Sequence, residues 1–264
     1  MDNILLKICK DKKIELEKTK EKCSLNTLKK LISDGITKRN FKSNLVKTAL
    51  AETNFIIGEI KKASPSAGDI IYDYEPLKIA KIYERSGINT ISILTEQKYF
   101  KGSVDHISII KKNTNLPILR KDFIIDEYQI YESKVYQADV ILLIVAILND
   151  SQLKKYLEIA NDLKLDCIIE THNEEEIKRA LKLKYPIIGI NNRNLKNLKT
   201  NIDNSVNLYK NISKEYTVIA ESGIKSAKDI KMYNDLGIFS FLIGESILRS
   251  PNYDSFIKNL FNYG

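Results

Sequence analysis

Short apolar runs rich in isoleucine and valine recur along the chain, each closing on polar residues and giving way to a segment with helical spacing. The runs are Phe55-Ile-Ile-Gly-Glu, Thr90-Ile-Ser-Ile-Leu, Leu116-Pro-Ile-Leu-Arg, Asp139-Val-Ile-Leu-Leu, Cys167-Ile-Ile-Glu, Pro186-Ile-Ile-Gly-Ile, Thr217-Val-Ile-Ala-Glu and Phe239-Ser-Phe-Leu-Ile-Gly. They recur at intervals of roughly 20 to 35 residues, as βα units require. Their near-continuous apolar character suits parallel strands covered on both faces. Between them, Pro76 to Ser86 carries Leu77, Ala80, Ile82 and Tyr83 before a stop at Gly87. Helices are also predicted over Asp126 to Val135 and Ser151 to Leu163. Another starts at Asn173 with acidic residues in its first turn, where the helix dipole favours them, and another at a capping Ser226.

Eight strands, each followed by a helix, predict an α/β fold closed as a (β/α)8 TIM barrel. An open doubly wound sheet is the alternative, but no G-x-G-x-x-G turn follows the first strand. Residues 1–264 read as a single barrel domain, of which 1–50 form an N-terminal helical extension with helices over Ile4 to Lys20 and Leu25 to Ile36. The Lys7 to Lys22 run mixes both signs of charge and reads as an exposed helix with i,i+4 pairs.

In such a barrel, function sits at the C-terminal ends of the strands. The first strand ends on Glu59 and Lys61, two residues apart and so on one face, followed by the turn Ser64-Pro-Ser66. Two readings fit that segment alone: a catalytic pair beside an anion site, or a salt bridge at a strand end. The third strand adds Lys121, in phase with Leu119 and Phe123. The fifth ends on Glu170, the sixth on Asn191, the seventh on Glu221-Ser222-Gly223 and the eighth on Gly244-Glu245-Ser246. So many charges in phase with one mouth point to catalysis rather than to solvated decoration. Glycine turns after strands seven and eight fit a phosphate held by backbone N–H groups. Phe100, Phe123, Leu195 and Leu198 are each ordinary packing residues taken singly; together they predict an apolar slot for an aromatic ring.

The remaining chemistry narrows the field. The net charge of +8 is compatible with phosphorylated small substrates, and the lysines are dispersed rather than gathered on one face, which argues against a nucleic-acid partner. No apolar run approaches the ~20 residues of a membrane span. The amphipathic N-terminus lacks the long apolar stretch of a secretory signal, so the cytoplasm is the expected compartment. Cys9, Cys23 and Cys167 are widely spaced and give neither a disulfide framework nor a zinc pattern. His106 reads as a surface or packing residue; His172, just past a strand end, could approach a site but reads first as a cap or a solvent-exposed side chain.

Glu59-Ile-Lys-Lys-Ala-Ser-Pro-Ser66, Thr95-Glu-Gln-Lys-Tyr-Phe-Lys-Gly-Ser103, Leu119-Arg-Lys-Asp-Phe-Ile-Ile125, Glu170-Thr-His-Asn173, Gly189-Ile-Asn-Asn-Arg-Asn-Leu195, Ala220-Glu-Ser-Gly-Ile224 and Gly244-Glu-Ser246 together resemble the indole-3-glycerol-phosphate synthase family. The resemblance runs from strand one to strand eight. It implies conversion of 1-(2-carboxyphenylamino)-1-deoxyribulose 5-phosphate to indole-3-glycerol phosphate with loss of CO₂ and water, in tryptophan biosynthesis. It implies a carboxy-lyase with neither metal nor cofactor, acting on a small phosphorylated molecule as a monomer or weak homo-oligomer. Lys121 is the implied general acid, with Glu170 and Lys61 implied for dehydration. Glu59 and Glu221 would hold lysines and substrate hydroxyls, Asn191 would donate a hydrogen bond, and Ser222 completes the catalytic set. Ser64, Gly223, Gly244 and Glu245 would bind phosphate, Phe100, Phe123 and Leu195 the ring, and Arg193 would brace the strand-six loop. Many relatives carry lysine after Ser-Pro-Ser; here Ala67 stands there. The chain ends soon after strand eight, so a single activity is expected. The alternative is another phosphosugar barrel such as phosphoribosylanthranilate isomerase, which would need a Cys and Asp acid/base pair at strand ends.

Overall fold

The computed structural model describes residues 4–32, 38–194 and 198–261. Each apolar run forms a strand: β1 (Phe55–Ile60), β2 (Thr90–Leu94), β3 (Ile118–Lys121), β4 (Val140–Ile144), β5 (Asp166–Thr171), β6 (Ile187–Asn191), β7 (Thr217–Glu221) and β8 (Ser240–Ile243). All pair in parallel, and β1 closes on β8 from Phe55↔Ser240 to Gly58↔Ile243, so the sheet is a closed barrel. The loop after β1 carries a small antiparallel hairpin, Ala63–Ser64 against Gly68–Asp69.

The barrel explains the apolar runs. Alternate residues face inward or outward, and both faces are covered. Phe55, Ile57, Leu119, Val140, Leu142, Ile168, Ile187, Ile219 and Leu242 fill the interior. Ile56, Ile60, Ile91, Ile93 and Phe241 pack outward against the surrounding helices. Those helices begin where short polar side chains satisfy their first N–H groups. Asn149 forms a capping box with Gln152, Asn173 accepts from Glu176 N, and Ser226 forms a capping box with Asp229. The expected helices appear as α4 (Pro76–Arg85), α6 (Glu127–Val135), α7 (Asp150–Asp162), α8 (Glu174–Leu181) and α10 (Ala227–Asn234). Four more, α5 (Asp105–Asn113), α9 (Asp203–Tyr209), α11 (Glu245–Leu248) and α12 (Tyr253–Phe261), complete the outer layer.

The N-terminal extension departs from its sequence reading in two ways. It holds three helices, α1 (Ile4–Lys22), α2 (Leu25–Leu31) and α3 (Phe41–Leu50). The second stops at Leu31, and the rest of its expected span, 33–36, lies outside the described residues. Helix α3 was not expected: its apolar face is only Phe41 and Leu45, too short a stripe to stand out between lysines. Both side chains are fully buried against the start of the barrel, with Phe41 edge-on to Phe55 at 5.9 Å. Nor is α1 an exposed helix. It buries Leu5, Ile8, Lys12 and Leu16, and Leu5 and Ile8 join the interior cluster from the opposite end of the barrel. The extension therefore covers both ends of the barrel.

Candidate active site

The inward phase at the strand ends brings Glu59, Lys61, Lys121, Glu170, Asn191 and Ser222 around one cavity of about 110 Å³. Glu221 joins them through Lys121. The Lys121 ammonium lies 2.9 Å from Glu170 Oε2 and forms a second ion pair with Glu221. Beside it, Lys61 Nζ donates to Glu59 Oε1 at 2.5 Å. All these side chains are nearly out of solvent, Lys121 at 13% exposure and Glu221 at 1%.

Burial pulls against the charge of Lys121, but Glu170, Glu221 and Glu59 outweigh it and hold its proton more tightly than usual. The two carboxylates part company. Burial pushes both up, yet Lys121 and His172 hold Glu170 well below the usual carboxylate range. Glu221 has Lys121 alone against burial and the Glu170 charge, and is pushed up to about 8. Neighbouring carboxyls set apart in this way are suited to different proton-handling roles.

Two glycines make these positions possible. A methyl group at Gly189 on β6 would overlap Glu221 Oε1, and one at Gly244 would lie 2.6 Å from Glu59 Oε1. Each buried carboxylate thus occupies space that only a glycine on, or just past, the adjacent strand leaves open.

The apolar side of the cavity is lined by Phe100, Phe123, Leu142, Ile144, Leu198 and Leu242, with Ile4, Leu5 and Ile8 of α1 closing over it. Phe100 and Phe123 lie 6.1 Å apart at 41°. Leu195, expected in this slot, lies outside the described residues.

A second, polar cavity of about 840 Å³ adjoins the first and shares Glu59, Lys61, Ser66, Arg193 and Ser222 with it. Gly223, Gly244, Glu245, Ser246, Arg249 and Ala67 complete much of its wall. Arg193 ties three loops together: its backbone bridges Thr200, its guanidinium donates to Ser66 Oγ, and Nη2 stands 3.5 Å from Glu245 Oε2. Burial works against the Glu245 charge, but Arg249, Lys61 and Arg193 hold that carboxyl below its ordinary value. Ser64 faces the smaller cavity, and its hydroxyl accepts from Ala67 N at 3.2 Å, so it shapes the turn that presents Ser66. Ser222 takes φ +68°, a costly conformation for a residue with a side chain, with its carbonyl held by Asn192 Nδ2 at 3.0 Å.

Three supporting groups escaped the sequence reading. His172 is no surface cap: its side chain is 10% exposed, with Nε2 3.2 Å from Glu170 Oε1 and Nδ1 3.0 Å from Glu176 Oε2. Glu170 and His172 repeat the acid-then-base spacing of Glu59 and Lys61, the signal that would have found them. Asp122, next to Lys121, pairs with Arg120 and with the buried Lys12 of α1, and accepts from Thr95 Oγ1 at 2.6 Å. Glu96 accepts from the backbone N–H groups of Lys98, Tyr99 and Phe100, which fixes the loop that carries Phe100. Cys167 sits fully buried near the start of β5, where burial pushes its thiol far up, so it is unsuited to act as a base at the mouth.

The family model described as indole-3-glycerol phosphate synthase matches residues 5–260. A protein of that name from Legionella pneumophila (strain Paris) is 45% identical over 264 residues, covering 98% of this chain and 99% of its own. Another, from Caldanaerobacter subterraneus subsp. tengcongensis, is 47% identical over 246 residues, covering 93% of each. Among solved structures, KGPDC from Streptococcus mutans superposes with a TM-score of 0.59 at 12% identity, over 79% of this chain and 95% of that one. That likeness concerns the barrel fold alone.

Proposed function

The chain belongs to the indole-3-glycerol phosphate synthase family, and from that premise we propose how its barrel mouth closes an indole ring on 1-(2-carboxyphenylamino)-1-deoxyribulose 5-phosphate. The aryl ring lies in the slot of Phe100, Phe123, Leu142 and the α1 side chains. The phosphate occupies the polar cavity, facing Ser66, Gly223, Gly244, Ser246 and Arg249. Lys61 borders both cavities and meets the substrate carboxylate as a point charge.

The ring carbon bearing that carboxylate attacks the ketone carbon, and Lys121 gives its proton to the ketone oxygen. CO₂ leaves, and its bonding pair stays in the ring system. The new hydroxyl departs as water with a proton from Lys61, while Glu170, ionised between Lys121 and His172, takes the proton lost from the carbon beside nitrogen. Two protons enter and one leaves, so each turnover draws one from solvent. Lys121 is a reluctant acid because two carboxylates hold it. It gives up its proton only to a strongly basic oxygen, which is what the ketone becomes as the new bond forms. Asn191 donates to the same substrate groups. The proposal includes a cytoplasmic setting, a monomer or weak homo-oligomer, and no nucleic-acid partner. No helix among the described residues is long and apolar enough to cross a membrane.

The observation that carries this reading is Lys121 held between two unlike carboxylates beside an aromatic slot. Adding the substrate to the protein and following indole fluorescence tests it. Lys121→Ala is expected to lower kcat by about 10³-fold or more while circular dichroism stays unchanged. Near-normal turnover in that variant would overturn the role of Lys121, and no indole product from the unaltered protein would overturn the reaction.

A further inference from the structure

Lys121 offers one positive charge to two buried carboxylates, and something must settle which of them stays ionised. We propose that His172 is the positioning residue that does so: standing on Glu170 and held from behind by Glu176, it keeps the negative charge on Glu170 and leaves the proton to Glu221. The inference rests on the reaction proposed above and adds to it a residue that touches no substrate.

The geometry is asymmetric. Glu170 has a cation on each oxygen, Lys121 on Oε2 and His172 on Oε1. Glu221 has Lys121 on one oxygen, and its Oε1 finds no hydrogen-bond donor among the described residues. The His172 Nε2 contact lies off hydrogen-bond alignment at 3.2 Å, so it acts through charge rather than through a directed bond. The ring is fixed in place by α8: Glu176 Oε2 meets its Nδ1 at 3.0 Å and accepts from its backbone N–H at 2.9 Å. Asn204 Nδ2 holds the His172 carbonyl at 3.2 Å.

The groups facing the ring are Glu170 from its own strand and Glu176 from α8, with Lys121 of β3 and Glu221 of β7 beyond Glu170. Glu175, Arg179, Arg193 and Lys199 line the polar cavity of about 650 Å³ on the ring's outer side. Burial alone would discharge the imidazole, but Glu170 and Glu176 raise it to about 9. It is therefore a cation across the neutral range, and its charge falls on Glu170 alone of the two carboxylates.

The consequence is chemical. Were both carboxylates ionised, Lys121 would be held too tightly to release a proton; were both neutral, no base would remain for the dehydration. Fixing one of each keeps an acid and a base on either side of the same lysine.

Steady-state kinetics of the full chain from pH 5 to 10, for His172→Gln and Glu176→Gln, test the proposal alongside an NMR titration of the His172 ring in the unaltered protein. Glu170 is active when ionised, and that form is lost as pH falls through its folded value. Removing the His172 charge raises that value, so an acid limb of kcat/KM that lies below the tested range in the unaltered protein should rise into it. At neutral pH, kcat should fall about 10- to 100-fold with KM changed less than about threefold. Glu176→Gln should shift the limb the same way by less, and decides the matter if His172→Gln does not fold. The ring should titrate near pH 9. A His172→Gln enzyme with an unmoved acid limb, or a ring titrating near its ordinary 6.5, overturns the proposal. Absence of turnover in the unaltered protein would instead overturn the reaction, and the ring titration would still decide whether His172 is charged beside Glu170.

Discussion

Buried acids and bases meet at both ends of this barrel. Where the strands begin, Asp139 accepts from Lys111 Nζ at 2.5 Å, Arg39 N at 2.7 Å and Ile118 N at 2.9 Å. Asp166 accepts from Lys38 Nζ at 2.6 Å and Lys42 N at 3.0 Å. The Arg39 guanidinium donates to the carbonyls of Lys111, Thr114 and Leu116. Both oxygens of each carboxylate are occupied there, and most of the donors come from the extension, so these pairs clasp the start of α3 to the barrel floor. Where the strands end, one lysine serves two carboxylates, one carboxylate oxygen finds no donor among the described residues, and a cavity opens alongside. Burial and ion pairing are common to the two ends. What separates a clasp from a reacting site is whether the charges are already fully spent on the protein.

The contrast can be broken most forcefully at the floor. Asp139→Ala strips the buried Lys111 of its partner and leaves the Arg39 and Ile118 N–H groups unsatisfied, and should cost about 3–5 kcal/mol in urea unfolding. The folded fraction should keep its kcat; a loss of kcat per folded molecule would show that the floor is coupled to the mouth. Gly189→Ala tests the other end. Its methyl group must displace Glu221, so kcat should drop about 100-fold while stability falls by only about 1–3 kcal/mol. The reverse ranking, a stable enzyme with full activity, would mean that the Glu221 position is not critical.

The smallest effect is in pH dependence. His172 and Glu221 both hold protons more tightly when folded than when unfolded. The stability each contributes is lost as pH rises: for Glu221 from its unfolded value near 4.5 to about 8, and for His172 from 6.5 to about 9. Unfolding midpoints should therefore decline between pH 6.5 and 9, and His172→Gln should flatten that decline. An unchanged slope would place the ionisation elsewhere.

The strands and their polar ends were legible because near-continuous apolar runs and βα spacing are local signals, and each strand end could be read one at a time. The pairings were not. Which carboxylate meets Lys121 depends on barrel closure, which no local pattern encodes. His172 was misread because its partner Glu170 was taken as the end of the strand, although β5 runs on to Thr171 and the next residue, His172, returns to the face of Glu170. Helix α3 was missed because two buried side chains, Phe41 and Leu45, carry its whole apolar face. The role of α1 was hidden because Lys12, a residue that reads as solvent-facing, is buried on Asp122.

The extension also bears on how the protein is made. Synthesis delivers α1 and α3 first, yet the surfaces that seat them are strung along the chain as far as Leu242. A growing chain thus carries two helices with apolar faces through most of its translation before either finds its neighbours. Contacts spanning so much sequence are slow to form, and the exposed faces are natural targets for chaperones or for self-association in the interval. Completion of the barrel and covering of its mouth become one late event, so a nascent chain that stalls before the last strand has neither a floor nor a roof.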